Sequence, residues 1–145
     1  MSRIQETKRA YDMLVELLNQ EIRKRSGSTQ ELQRFRQTLD VAFYLLGWGQ
    51  FEYLVRREAE ERVEEKARAH TVDGYAWRYL RDNERNIPVR SRLEFIFHTN
   101  PGVRASLEKE YRVRNEAAHD YKLLPKEAKD ISVWLKELEE LVDKF

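Results

Sequence analysis

Interruptions are what this chain lacks. Its 145 residues include only 5 glycines and 3 prolines, the two residue types that most readily break helices and build tight turns. A fold of many short strands needs a turn signal every several residues. So few breakers leave long unbroken segments and little room for a many-stranded sheet. The rest of the chain is rich in Glu, Arg, Leu and Ala, residues that tolerate helical backbone well. The expectation is all-α: an up-and-down bundle of four main helices plus short extra helices, in a single helical domain over residues 1–145. That length supports one hydrophobic core.

Apolar spacing places the helices. Ile4, Tyr11, Leu14, Leu18 and Ile22 recur at helical intervals and predict a first helix from about Ile4 to Lys24. Ser28-Thr29-Gln30-Glu31 has capping-box spacing and opens a second helix with the stripe Leu32, Phe35, Leu39, Ala42, Phe43 and Leu46. Gly47-Trp48-Gly49 predicts a kink or short turn, with Phe51, Leu54 and Val55 facing inward beyond it. Residues 56–68 alternate in charge and read as a solvated face laced with i,i+4 pairs. Thr71–Gly74 reads as a turn, followed by a short helix over Ala76–Arg81 and a loop over Asn83–Pro88. Ser91–Phe97 is a further short piece. Asn100-Pro101 is a cap followed by a first-turn proline, and starts a helix that reaches His119. Pro125 is expected to open the last helix, with Ile131, Trp134 or Leu135, and Leu138 in its stripe.

Composition removes several chemistries. The chain has no cysteine, which excludes disulfides, thiolate metal sites and cysteine nucleophiles. Formal net charge is +1, so no global field draws the protein to nucleic acid, and any such contact needs a local patch. No apolar run approaches the roughly 20 residues of a membrane span, and Met1–Glu6 lacks the apolar core of a signal peptide. The expectations are a cytoplasmic location and no membrane partner. No phosphate-binding glycine loop and no Glu-x-x-His or zinc-ligand pair occurs, so no metal and no cofactor is expected.

One stretch stands apart from ordinary helical sequence. Arg114-Asn115-Glu116-Ala117-Ala118-His119-Asp120-Tyr121 places a permanent cation, an amide, an imidazole and a phenol within eight residues. A guanidinium can hold a phosphate and an imidazole can move a proton near neutral pH. On an ideal wheel Val103, Leu107, Tyr111, Ala118 and Tyr121 share a face with Arg114 in its middle, and His119 lies about 140° from Arg114. The two converge if the helix frays, if Arg114 reaches around, or if two copies of the helix meet. A snorkelling or internally salt-bridged Arg114, paired with Glu52 or Glu116, is the structural alternative. Neither other histidine has an arginine at the same offset, since Glu65 precedes His70 and Leu93 precedes His98 by five residues.

Arg114, Asn115 and His119, late in a short helical chain, resemble the signature of the HEPN domains (higher eukaryotes and prokaryotes nucleotide-binding): Arg, roughly four to six residues, then His, usually with a polar residue after the Arg. Gly47-Trp48-Gly49-Gln50-Phe51-Glu52-Tyr53-Leu54 is similar to the tryptophan-to-glutamate segment on an earlier helix of several HEPN subfamilies. The resemblance implies a HEPN-like bundle and a metal-independent endoribonuclease of a toxin–antitoxin or defence system. It implies an RNA substrate and a homodimer in which the Arg-His helices of both protomers form one cleft. His119 would then transfer protons, Arg114 would stabilise charge on the phosphate, and Asn115 would position phosphate or imidazole, leaving a 2′,3′-cyclic phosphate and a 5′-hydroxyl. Glu52 is expected to support the site by hydrogen-bonding or pairing with an arginine inside the bundle, a role as catalytic acid being the alternative. Arg114, His119 and Tyr121 also match Arg-x4-His-x-Tyr, the pattern whose tyrosine is adenylylated in HEPN toxins paired with a minimal nucleotidyltransferase. That makes Tyr121 a modification candidate and such an enzyme a candidate antitoxin. A HEPN domain without nuclease activity, binding a nucleotide or a partner protein, is the alternative.

Overall fold

A computed structural model of the chain describes every residue except Met1, Ser26, Glu84, Arg85, Lys122, Lys126 and Glu127. It contains six helices and no strand among the described residues: α1 (Arg3–Lys24), α2 (Gln30–Ala67), α3 (Val72–Asp82), α4 (Val89–Ile96), α5 (Pro101–Asp120) and α6 (Ile131–Val142). The fold class is all-α. Among the described residues no helix is long and apolar enough to cross a membrane.

The chain packs as two compact units: unit 1 comprises Met1–Phe51 and Lys109–Lys144, and unit 2 comprises Glu52–Glu108 with Phe145. The helices α2 and α5 each contribute one part to either unit.

Unit 1 is built on rings. Trp48 and Trp134 pack at 5.2 Å between centroids, Tyr44 lies 5.5 Å from Trp134, and Phe51 and Tyr111 meet Trp48 edge-on at 5.7 and 5.9 Å. These tilted and T-shaped contacts suit the ring quadrupoles. Helix α1 packs against α6, and Ser2 Oγ donates to Glu139 at 2.5 Å. Ser2 also forms a reciprocal capping box with Gln5, a signal present in the sequence and overlooked there. Tyr11 donates to Asp40 at 2.6 Å, and Arg36 meets both groups at 3.2 Å, tying α1 to α2. Burial and the Asp40 carboxylate push the Tyr11 hydroxyl well above the usual phenol range.

The expected kink at Gly47-Trp48-Gly49 is absent, and α2 runs unbroken for 38 residues. A Cβ on Gly47 would sit 2.6 Å from Leu135 Cδ2, whereas one on Gly49 would meet nothing within 4 Å. Gly47 therefore lets α6 approach α2 closely, and does not bend the helix. The expected stripe is corrected for the same reason. A break would have allowed a change of phase, but a continuous helix keeps one phase, set by Trp48, Phe51 and Val55. Val41 and Tyr44 are thus buried, while Phe35 and Leu46 are about half exposed. In α1 only Ile4, Thr7 and Tyr11 are buried, and the apolar residues from Leu14 onward are partly or largely exposed.

Unit 2 combines small aliphatic side chains and arginines with two aromatic pairs. Beyond Phe51, α2 buries Val55, Ala59, Val63 and Ala67, each four residues apart. Its outer face carries the ion pairs Arg56–Glu60, Arg57–Glu61 and Glu58–Arg62, the i,i+4 pattern expected of this run. Thr71–Gly74 is corrected from a turn to the start of α3: Thr71 Oγ1 accepts from the Gly74 amide at 3.1 Å. A Cβ on Gly74 would lie 1.8 Å from the Ala69 carbonyl oxygen, so only glycine permits this tight α2–α3 connection. Arg78 Nη1 donates to the Ala67 and Ala69 carbonyls at 2.9 and 3.1 Å, satisfying oxygens left over at the end of α2. Trp77 packs on Phe95, and Phe97 on Phe145.

The last helix begins at Ile131, with Asp130 as its N-cap accepting from the Val133 amide at 3.2 Å. The expected start at Pro125 is corrected accordingly. Its first turn would have included Lys126 and Glu127, which lie outside the described residues.

Candidate functional site

Helix α5 carries the candidate residues, and its own sequence explains where it begins. Asn100 Oδ1 accepts from the Val103 amide at 3.1 Å, and Pro101 occupies a first-turn position where a missing N–H costs nothing. The helix then runs 20 residues to Asp120 without a break. His119 is therefore within regular helix, and its angular separation of about 140° from Arg114 holds. No break in the helix precedes His119.

The buried face of α5 is Leu107, Glu110, Val113 and Ala117. It is turned by about one residue from the expected Val103, Leu107, Tyr111, Ala118 and Tyr121 stripe. Arg114 consequently lies at the margin of the buried face, half-buried, instead of in its middle. Its guanidinium carbon stands 5.7 Å from the Tyr111 ring centroid, a cation–π arrangement. Its Nη1 donates to Asn115 Oδ1 at 3.1 Å. Tyr111 in turn meets Trp48, so the guanidinium is braced on the aromatic core of unit 1. Trp48 is 1% exposed and anchors that core.

The structure thus brings Arg114 and Asn115 together and leaves His119 exposed on the last turn. Tyr121 follows α5 with φ of 57°, and its amide donates to the Ala117 carbonyl at 3.0 Å. A left-handed residue closing a helix is ordinary for glycine and strained for tyrosine, by about 1–2 kcal/mol. The Tyr121 side chain is 67% exposed, so it does not pack on the apolar face. Glu52 is half-buried on α2 and belongs to unit 2. His70 and His98 are exposed.

Sequence reasoning missed one charged group beside this segment. Glu110, one turn before Arg114, is 8% exposed. Burial raises its carboxyl above the usual carboxylate range, and Lys129 at 3.7 Å opposes the shift. Lys129 also bonds Glu137, the main reason its ammonium is held above the usual lysine range. Tyr44 donates to the Glu110 carbonyl at 3.4 Å, and burial raises its hydroxyl well above the usual phenol range. No spacing rule could have revealed this cluster, because Tyr44, Glu110 and Lys129 are far apart in sequence. Among the described residues no three His, Asp or Glu side chains gather in a way that could hold a metal ion.

In comparison with known proteins, no family model, no curated protein and no solved structure matches this chain. The functional reading therefore rests on the residues and their geometry, together with the HEPN resemblance carried by the motif itself.

Proposed function

We propose that this chain is a HEPN-type, metal-independent endoribonuclease of a toxin or defence system, acting as a homodimer on RNA in a HEPN-like bundle. The observation that carries the reading is Arg114-Asn115-x-x-x-His119 on one unbroken, N-capped helix, with Tyr121 just beyond its end. Its guanidinium is braced by Tyr111 and Asn115, and its imidazole and phenol are open to solvent. A single α5 does not stack Arg114 and His119 on one face. The reading therefore requires two copies, each completing the other's cleft.

In that cleft His119 of one copy takes the proton of the RNA 2′-hydroxyl. The 2′-oxygen attacks the adjacent phosphorus, and the bond from phosphorus to the 5′-oxygen breaks. The departing oxygen takes a proton from the imidazolium of the second copy. Arg114 stabilises the charge that builds on the non-bridging oxygens. The products are a 2′,3′-cyclic phosphate and a 5′-hydroxyl. Adenylylation of the exposed Tyr121 by a cognate nucleotidyltransferase would place a phosphate beside Arg114 and block the cleft.

The test is RNA cleavage in the presence of a chelator. The expected result is cyclic-phosphate ends from the wild type, and a loss of activity of at least about a hundredfold in Arg114→Ala and in His119→Ala, with helical circular dichroism unchanged. Undiminished cleavage by both variants refutes the assignment. The net charge of +1 favours a second reading, a HEPN domain that binds a nucleotide or a partner protein without cutting RNA. In that case cyclic-phosphate ends never form, and the ligand raises Tm.

A further inference from the structure

The outer face of α5 holds a cation that the pairing of Arg114 with His119 leaves out. Arg112 and His119 are seven residues apart, so their side chains lie within about 20° of each other around the helix. Asn115 sits between them along the axis, and all three fall within an arc of about 60°. They belong to the same unit. Arg114, by contrast, is turned about 160° from Arg112 and is braced on Tyr111. The arginine that shares a face with the imidazole of its own copy is Arg112.

The groups on this face have donors to spare. Arg112 and His119 are exposed, and among the described residues neither side chain has a hydrogen bond or an ion pair. Two carboxylates stand one turn from Arg112. Glu108 is paired with Arg90, and Glu116 forms no ion pair among the described residues. Glu116, Lys109 and Asp120 lie about 40°, 60° and 80° from Arg112, on the flank away from Asn115. Their charges sum to −1, so an anion is received on the Asn115 side. There Asn115 Oδ1 accepts from Arg114 Nη1 at 3.1 Å. That bond engages the carbonyl of the amide and leaves the Nδ2 protons to donate. A guanidinium, an amide nitrogen and an imidazole are groups that meet a nucleic-acid backbone. Helical side chains lean toward the N-terminus. His119 therefore leans toward Asn115, whereas Arg112, about 10 Å earlier along the axis, reaches away from both. A phosphate at Asn115 and His119 leaves the Arg112 guanidinium placed for the next phosphate of the same strand.

We propose that Arg112 is a substrate-binding residue: it holds the backbone phosphate next to the one at Asn115 and His119 of the same copy, on an RNA strand that runs along α5. The proposal rests on RNA as the ligand of this helix, and adds to that reading a contact that needs no second copy.

The experiment pairs binding with cleavage on the full chain. Binding is read by fluorescence polarisation of a labelled single-stranded oligodeoxynucleotide, which lacks the 2′-hydroxyl and is not cut by this route. Arg112→Gln is expected to weaken binding about fivefold and to lower the slope of log Kd against log salt by about 0.7, the share of one phosphate on a single strand. Circular dichroism is unchanged, and Arg112→Lys keeps most of the affinity. Arg34→Gln removes the same charge from an exposed residue of α2 and changes affinity by less than about twofold. In cleavage, Arg112→Gln raises KM and spares kcat. Its loss in kcat/KM is greater for an oligoribonucleotide than for a dinucleoside monophosphate, which carries a single phosphate. If the wild type cuts RNA and Arg112→Gln alters neither KM nor the salt slope, the proposal is overturned and the nuclease reading stands. A fall in kcat as large as that of His119→Ala also overturns it, because it places Arg112 at the reacting phosphate. If Arg112→Gln weakens binding and lowers the slope but no RNA is cut, the Arg112 contact stands and the nuclease reading alone fails. Absence of binding by the wild type at low salt overturns both.

Discussion

In unit 1 the largest fully buried side chains are Trp48, Trp134, Tyr11, Tyr44 and Phe51, whereas α2 and α4 of unit 2 fill their buried positions with Val55, Ala59, Val63, Ala67, Leu93 and Ile96. The two units solve one problem in different ways. An aromatic ring removes about 150–250 Å² from water, so a few rings supply a core. Small side chains let helices close tightly but bury less area each, and polar groups must complete the structure. In unit 2 arginine does this: Arg78 caps the end of α2, and Arg92 is buried outright. In unit 1 the corresponding arginine, Arg114, rests at the edge of the rings and keeps part of its surface open. Both units use guanidiniums as structural parts, Arg36 between Tyr11 and Asp40 in unit 1 and Arg78 and Arg92 in unit 2.

The largest expected effect tests the aromatic core directly. Trp134→Ala should cost about 3–5 kcal/mol, against about 0.5–1.5 kcal/mol for Ile96→Val in unit 2, measured by urea unfolding. Equal costs would erase the distinction between the two cores. A sharper test stays within unit 1. Gly47→Ala pushes a methyl group against Leu135 and should destabilise by about 1–3 kcal/mol. Gly49→Ala meets open space and should stabilise by about 1 kcal/mol. If both substitutions stabilise, close packing of α2 on α6 is not what Gly47 provides.

The smallest effect concerns charge in the same unit. The Glu110 carboxyl is raised in the folded protein, so its contribution is most favourable when it is protonated, at low pH, and is lost as pH rises through the folded value. Glu110→Gln should therefore raise Tm relative to the wild type at neutral pH. The advantage should disappear as pH falls below the ordinary carboxylate range. A Tm difference that is constant across that range, or that grows toward acid, contradicts burial as the dominant influence on Glu110.

Local signals in the sequence were read correctly where they act over a few residues. Asn100-Pro101 starts α5 as expected, and the charge run after Arg56 forms the i,i+4 pairs its spacing predicts. The errors lie where a partner decides. Gly47 looked like a breaker because propensity counts glycine as weak helix; Leu135, 88 residues away, makes it a contact point instead. The stripes of α2 and α5 were each misphased, because a helix with apolar residues on more than one face leaves the choice of buried face to its neighbours. Of the candidate site, Arg114, Asn115 and His119 were legible from residue type and spacing. The bracing of Arg114 by Tyr111 and Asn115, the exposure of Tyr121 and the burial of Glu110 were not.

What the amino-acid order alone determined is therefore the helical class, the places where caps start α5 and charges pair along α2, and the one segment with unusual chemistry. These depend on backbone propensity and on interactions between residues a turn apart. Only the tertiary structure decided which face of each helix is buried and that α2 continues through two glycines. Those outcomes are set by contacts between side chains far apart along the chain, whose energies exceed the fraction of a kilocalorie by which local preference separates most residues.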